Sequence, residues 1–368
     1  MIQEYAFQPR QRIISGIGSL ARISVSLEKL GKRRAFILTG NTLATKTDLV
    51  SRLEGILGET WAGTFSGCRQ HAPGSTVDAA TSQAEAARPD VLVSFGGGSP
   101  IDTAKIVAHR LLGERSRDDL PQIAIPTTLS AAEFTAGAGT TDEATREKHA
   151  VVDPRGVPKV VILDPEVTVE TPETLWASTG IKALDHAVEA LWSPRAHPVT
   201  DTLAMEAIGR LNANLKASLD RTNLEARLQC QLAAWLSIFG AANVGMRLSH
   251  PLGHQIGARW DVPHGVTSCI VLPAVMRFLA PTTESAQARI AKAFGRDDSA
   301  QPTESAAAAV ESLIASLGVP TRLSEVGAIR EELPAVAAAV ARELISRKVS
   351  DPSAPTEAQI LAILESVW

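Results

Sequence analysis

Apolar and polar positions are distributed differently in the two halves of the chain. In the first half, RAFILTG (34–40), DVLVSFGGG (90–98), QIAIPTT (122–128) and KVVILDP (159–165) are short apolar runs, each stopped by Gly, Thr or Pro. Runs this short, β-branched and without alternation predict strands buried on both faces, as in a parallel sheet. Between them, segments 42–57, 75–88 and 100–113 carry helical spacing. The alternation predicts a doubly wound α/β domain over residues 1–165. After DPEVTVETPETLWAST the strand-like runs nearly vanish, and segments rich in Ala, Leu and Glu continue to Trp368. Pro165, Pro172 and the Thr/Glu cluster between them mark the boundary. Residues 166–368 are therefore expected to form an all-helical domain, interrupted by the loop RWDVPHG (259–265) and by a turn near Pro281. TESAAAAVESLIASLG (303–318) reads as helix, and the chain has no internal repeat.

Composition adds mainly exclusions. At 368 residues the chain exceeds what one core usually serves, in keeping with two domains. A formal net charge of −4 gives no electrostatic reason to expect nucleic acid or an anionic membrane as partner. Cys68, Cys230 and Cys269 lie far apart and form no CxxC pair, which argues against a disulfide framework or a cysteine zinc site. The N-terminal MIQEYAFQPRQRIISG lacks a signal-peptide core, and no apolar run reaches the roughly 18–20 residues of a membrane span. The expectation is a cytoplasmic protein acting on a small molecule.

VLVSFGGGSPIDTAKIVA places three glycines between a strand and a helix. Glycine lets backbone N–H groups approach a ligand closely, and a helix N-terminus favours an anion. Gly97 and Gly98 thus become candidates for a pyrophosphate, with a helix beginning near Pro100, Ser99 as its cap and Asp102 in its first turn. The segment is not GxGxxG, so it indicates a nucleotide without naming one. IPTTLSAAEFT offers the hydroxyls of Thr127, Thr128, Ser130 and Thr135, suited to a ribose or a nicotinamide amide. At the first strand end, ILTGNT carries Gly40 and Asn41 where NAD-preferring sites often use a carboxylate on the ribose 2′-OH. The missing negative charge leaves room for a 2′-phosphate, with Lys46 and Arg33 as conceivable partners.

TGIKALDHAVEALW (179–192) sets Lys182 and His186 four residues apart, on one helix face. LSHPLGHQIGARWDVPHG adds His250, His254 and His264. Histidines at i and i+4, with another from a following loop, commonly converge on a cation or a reacting oxygen. Arg259 and Trp260 beside them read either as surface and packing residues or as contacts to an acid and an apolar chain.

In order, GGGSPIDTAK, PTT followed by E and T, the HAVEA helix and HPLGHQIG…PHG resemble the motifs of the iron-containing (group III) alcohol dehydrogenase family, from about residue 8 to about 280. The spacing of PTTLSAAEFT and the segment GCRQHAP (67–73) look more like its maleylacetate reductase branch. The resemblance implies the dehydroquinate synthase-like architecture, an N-terminal Rossmann-like dinucleotide domain followed by a helical domain, and in most members a homodimer. It implies NAD(P)H as cofactor, with Lys148 in REKHAVVDP at a cofactor-contacting position. It also implies a metal held by one aspartate and three histidines, whose positions are filled here by His186, His250, His264 and, in place of the aspartate, Lys182. His254 matches a further histidine near the substrate. An ammonium at a ligand position repels a divalent cation, so Lys182 is expected to do the metal's electrostatic work beside the imidazoles. Two alternatives stand beside this one: a metal retained on the three imidazoles with Lys182 turned away, and a Lys182 that snorkels to solvent, leaving a nucleotide-binding sensor with a degenerate site.

Overall fold

The computed structural model describes residues 11–141, 143, 148–296, 301–346 and 354–368, with the backbone alone for Thr141 and 148–150. The chain forms two compact units, residues 1–171 with 221–232, and residues 172–220 with 233–368. The first division falls at Thr171/Pro172, six residues beyond the boundary read from the sequence, and a short return segment from the helical half joins the first unit.

The first unit contains strands β1 (Arg12–Ser15), β2 (Ala35–Thr39), β3 (Trp61–Phe65), β4 (Val91–Gly96), β5 (Gln122–Pro126), β6 (Gly137–Thr141), β7 (Lys148–Val152) and β8 (Val160–Leu163). Its helices are α1 (Ile23–Leu30), α2 (Asn41–Lys46), α3 (Leu49–Leu57), α4 (Gly74–Ala87) and α5 (Gly98–Leu112). Six strands make a parallel sheet in the order β1-β8-β5-β4-β2-β3, while β6 and β7 form an antiparallel pair. Side chains alternate between two cores: Ile37, Val91, Val93 and Phe95 pack on one face with Ile23, Leu27 and Leu53, and Phe36, Leu38 and Leu92 pack on the other with Ala80, Ala104 and Val107. Burial on both faces explains the continuous apolar runs. The four strands expected from sequence are all present. The runs that made β1 and β3 were not legible, because RIIS is too short to show a pattern and WAGTF is interrupted by glycine.

Helix α8 (Leu224–Val244) belongs to the first unit at its start and to the second thereafter. The second unit holds α6 (Glu173–Leu191), α7 (Pro198–Asn214), α9 (Ser249–Trp260), α10 (His264–Ala293), α11 (Pro302–Ser316), α12 (Leu333–Ser346) and α13 (Glu357–Ser366). Its regular elements among the described residues are all helical. The turn expected near Pro281 is instead a kink, with Thr283 alone leaving helical geometry (φ −130°). Proline cannot donate to the helix ladder. Around it, Thr283 Oγ1 donates to the Leu279 carbonyl at 2.7 Å and Gln287 Nε2 to that of Met276 at 2.7 Å. This helix corrects one reading: it is long and apolar enough to cross a membrane, yet 67% of its most apolar window is buried inside the protein, as in a core helix.

Candidate active site

In the first unit, Gly40, the glycine turn and Thr127 follow β2, β4 and β5, which are adjacent strands. All three therefore lie at the carboxyl edge of the sheet, where open α/β sheets bind ligands. Gly96 ends β4 at φ 142°, a conformation that side chains rarely adopt, and turns the chain directly into α5. The helix starts at Gly98 with Gly97 as N-cap, so Ser99 is inside the first turn and does not cap it, and Asp102 lies beyond that turn. The reason is that glycines at 97 and 98 allow the helix to begin two residues before Pro100. The neighbouring loop sits close: a Cβ on Gly97 would lie 3.1 Å from Thr128 Cγ2, and one on Gly98 3.3 Å from Ser130 Oγ. Thr127 and Thr128 are buried, and the Thr127 N–H donates to the Gly96 carbonyl at 2.9 Å, tying the two turns together.

Lys105, which sequence reading passed over, anchors this edge from below. Its ammonium donates to the Ala132 and Gly137 carbonyls at 2.7 and 2.8 Å and to Asp102 Oδ1 at 3.3 Å. Arg33 precedes β2 and so lies at the amino end of that strand, away from Gly40; it drops out as a phosphate partner. Lys46 is exposed in the last turn of α2, as Asn41 is in the first. Lys148 starts β7, but its side chain lies outside the described residues.

In the second unit, α6 carries Lys182 and His186, α9 carries His250 and His254, and His264 opens α10. Asp261, at φ 54°, reverses the chain between α9 and α10. Gly265 lets the start of α10 press on α6, since a Cβ there would meet the Ser178 carbonyl at 2.7 Å. These two features bring the histidines into file. Ring centroids are 6.4 Å apart for His186 and His250, 4.2 Å for His250 and His254, and 5.2 Å for His254 and His264.

Lys182 does not snorkel: it is 7% exposed, and its Nζ lies 3.1 Å from His250 Nδ1 and 3.2 Å from Asp185 Oδ2. Among the described residues these are its side-chain partners, so one of its three N–H donors remains available. Burial first, and the Lys182 charge second, hold both His186 and His250 well below the ordinary histidine range. Both are neutral near neutral pH. His250 Nδ1 accepts from the lysine, which assigns its proton to Nε2. His186 Nδ1 has no partner among the described residues.

Below this file lies a buried polar layer that the sequence did not disclose. Asp185, fully buried, receives Ser249 Oγ at 2.9 Å and Ser268 Oγ at 2.7 Å on the same oxygen as Lys182. Glu189 Oε1 accepts from the Ser249 N–H at 2.8 Å, and burial followed by the Asp185 charge pushes its carboxyl upward. On the other side, Glu343 of α12 lies 3.1 Å from His254 Nδ1 and accepts Gln255 Nε2 at 2.7 Å. Asp185 stood within the quoted motif, three residues from Lys182, and an opposite-charge pair in an apolar run was a usable signal. Ser249, Ser268 and Glu343 come from other helices and gave none.

Arg259 takes the first of its two readings. Its guanidinium is paired with Glu332 at 2.7 Å, and Trp260 Nε1 donates to the same carboxylate at 2.9 Å. The cysteines are buried and not disulfide-bonded, and burial pushes the Cys68 thiol up to about 12, so that thiol is not poised as a thiolate nucleophile.

The donor set does not fit a metal. Among the described residues no group of three or more His, Cys, Asp or Glu side chains is arranged to hold one. Lys182 consumes the Nδ1 lone pair of His250 and presents only donors. A divalent ion at roughly 4 Å from the ammonium would be repelled by about 8 kcal/mol at an effective dielectric constant near 20.

Residues 9–165 match the family described as Iron-containing alcohol dehydrogenase, and residues 176–368 match Fe-containing alcohol dehydrogenase family, C-terminal. Maleylacetate reductase 1 of Rhodococcus opacus is 32% identical over 97% of this chain and 94% of its own. Lactaldehyde reductase of Escherichia coli (strain K12) is 30% identical over 96% and 97%. The crystal structure of maleylacetate reductase from Agrobacterium tumefaciens superposes with a TM-score of 0.85 at 27% identity, covering 100% of this chain and 98% of that one. Motif order, sheet topology and these likenesses agree: the chain belongs to the iron-containing alcohol dehydrogenase family, in its maleylacetate reductase-like branch, and is an oxidoreductase of the alcohol dehydrogenase and reductase type.

Proposed function

We propose that this enzyme uses NAD(P)H to reduce a small carbonyl compound or a maleylacetate-like keto acid, with the Lys182 ammonium acting where relatives of this family carry a metal-binding aspartate. The observation that carries the reading is the buried Lys182 Nζ, 3.1 Å from His250 Nδ1 with one N–H still to donate. The nucleotide fits the first unit: Gly97, Gly98 and Ser99 offer backbone N–H groups at the start of α5 to its phosphates, with Asp102, Thr127, Thr128, Ser130, Gly40, Asn41 and Lys148 assigned to the rest. Bound there, NAD(P)H supplies the hydride. As an electrophilic carbon accepts that hydride, negative charge develops on the substrate oxygen. Lys182 donates to this oxygen from a site largely closed to water, where a fixed donor is worth most. Neutral His186 and His250 leave the lysine as the cation nearest the reaction. His254, oriented by Glu343, holds the proton that completes the reduction.

Two features support a keto acid over a simple alcohol as substrate: the likeness to maleylacetate reductases, and a cationic group in place of a metal. The test is a turnover panel of maleylacetate, small aldehydes and 2-oxo acids with NADH and NADPH, run on wild-type and Lys182→Met proteins. Turnover in the wild type, lowered roughly 100- to 1000-fold in Lys182→Met with nucleotide affinity unchanged, is the expected result. Wild-type activity in Lys182→Met overturns the role of the lysine.

A further inference from the structure

We infer that Asp185 is the positioning residue of the site: its carboxylate holds the Lys182 ammonium in place, and the hydroxyls of Ser249 and Ser268 hold the carboxylate. The inference rests on the reading that Lys182 serves the reacting oxygen.

A lysine side chain has four rotatable carbons of reach, and freezing it costs conformational entropy. At an enclosed position it needs a partner that both balances its charge and fixes its direction. Asp185 lies one helical turn along α6, so the two side chains meet at i, i+3 without any rearrangement of the backbone. The contact is 3.2 Å, with the carboxylate fully buried. Three donors from three helices converge on Oδ2: Lys182 from α6, Ser249 from α9 and Ser268 from α10. That convergence locks the aspartate rotamer, and through it the lysine. Glu189 is the other buried carboxyl nearby, but it receives the Ser249 backbone N–H and does not bond the lysine. Among the described residues, Asp185 is the carboxylate bonded to the lysine ammonium. With one N–H of the lysine on Asp185 and one on His250, the third is left pointing by geometry alone. Asp185 does not touch the reacting atoms; it acts through Lys182.

A double-mutant cycle tests this on the full chain. Lys182→Met, Asp185→Asn and the double variant are compared by denaturant unfolding, which needs no substrate. Each single change leaves a buried charge without its partner, so each is expected to lower the folding equilibrium constant by roughly 10- to 100-fold. The double variant is expected to lose far less than the product of the two, a coupling of at least about tenfold. Should neither single variant fold, recovery of folded protein in the double variant is the same result. The kinetic arm uses maleylacetate with NADPH. Asp185→Asn is expected to lower kcat at least tenfold with the KM for NADPH unchanged, and to have no further effect once Lys182 is Met. Ser268→Ala keeps the ion pair and is expected to lower kcat a few-fold. Additive effects of the two replacements on folding, agreeing with the product within about twofold, overturn the inference, as does Asp185→Asn with wild-type kcat while Lys182→Met is inactive. Wild-type turnover in Lys182→Met overturns the functional reading instead, and the unfolding cycle still decides whether Asp185 holds the lysine.

Discussion

The two candidate sites in this chain are built from different material. The candidate nucleotide site of the first unit consists mainly of backbone: three glycines that turn β4 into α5, and a neighbouring loop of small hydroxyl residues, all at the carboxyl edge of one sheet. The site of the second unit consists of long, charged or titratable side chains on four helices, with carboxylates and serines buried around them. A backbone site recognises what nucleotides have in common, and it needs only a local turn to exist. A side-chain site has to be balanced in charge, and its partners are brought together only by the tertiary fold. Changes in the first should therefore act on affinity, and changes in the second on turnover.

The largest expected separation comes from Lys182→Met, which should lower kcat by roughly 100- to 1000-fold, the scale for loss of a donor to a developing oxyanion. Its NADPH dissociation constant, read by fluorescence titration, should stay within about twofold of wild type. The converse change is Gly97→Val. Its side chain would run into Thr128, and titration should show NADPH binding weakened about tenfold or more. The second unit of this variant should keep its stability, because the clash is confined to the first. A result with the two effects exchanged, affinity lost in the lysine variant and turnover alone lost in the glycine variant, would break the comparison.

Smaller effects sharpen it. Glu343→Gln keeps the shape beside His254 but removes the charge that orients the ring, so kcat should fall about tenfold with little change in nucleotide affinity. The smallest effect belongs to Glu133 in the first unit. Burial, the largest influence, pushes its carboxyl up to about 7, with the Lys105 charge opposing and Asp102 reinforcing the rise. A carboxyl raised in the folded state contributes stability that is complete below its ordinary value and is lost as pH rises through about 7. Glu133→Gln removes that loss. Relative to wild type, its melting temperature should therefore be a few degrees better near pH 8 than near pH 5, as calorimetry at the two values would show.

The same contrast explains what the sequence disclosed. VLVSFGGGSP announces a strand, a turn and a helix within ten residues, and the buried parallel strands are apolar throughout; both signals are local. The edge strand WAGTF carries no such signal, and the exact start of α5 was misplaced because Pro100 reads as a helix start although Gly97 caps it. In the helical half, Lys182 and His186 were legible as one face, and His250 with His254 as another. Asp185 could have been read from the same helix, as the opposite charge at i, i+3. Ser249, Ser268 and Glu343 could not, because a serine or glutamate on a helix looks alike whether it faces water or a buried charge from another element. Arg259, a charge beside the histidines that the sequence left open to two readings, is committed to Glu332.

The central claim is that a lysine ammonium, held by a buried carboxylate, does the work of a cation in this site. Elemental analysis of purified, active protein, with turnover measured before and after exhaustive chelation, tests it most directly. The account predicts far less than one divalent metal ion per chain and turnover unchanged by the chelator. About one iron or zinc per chain, with activity lost on its removal and restored on its return, would contradict it.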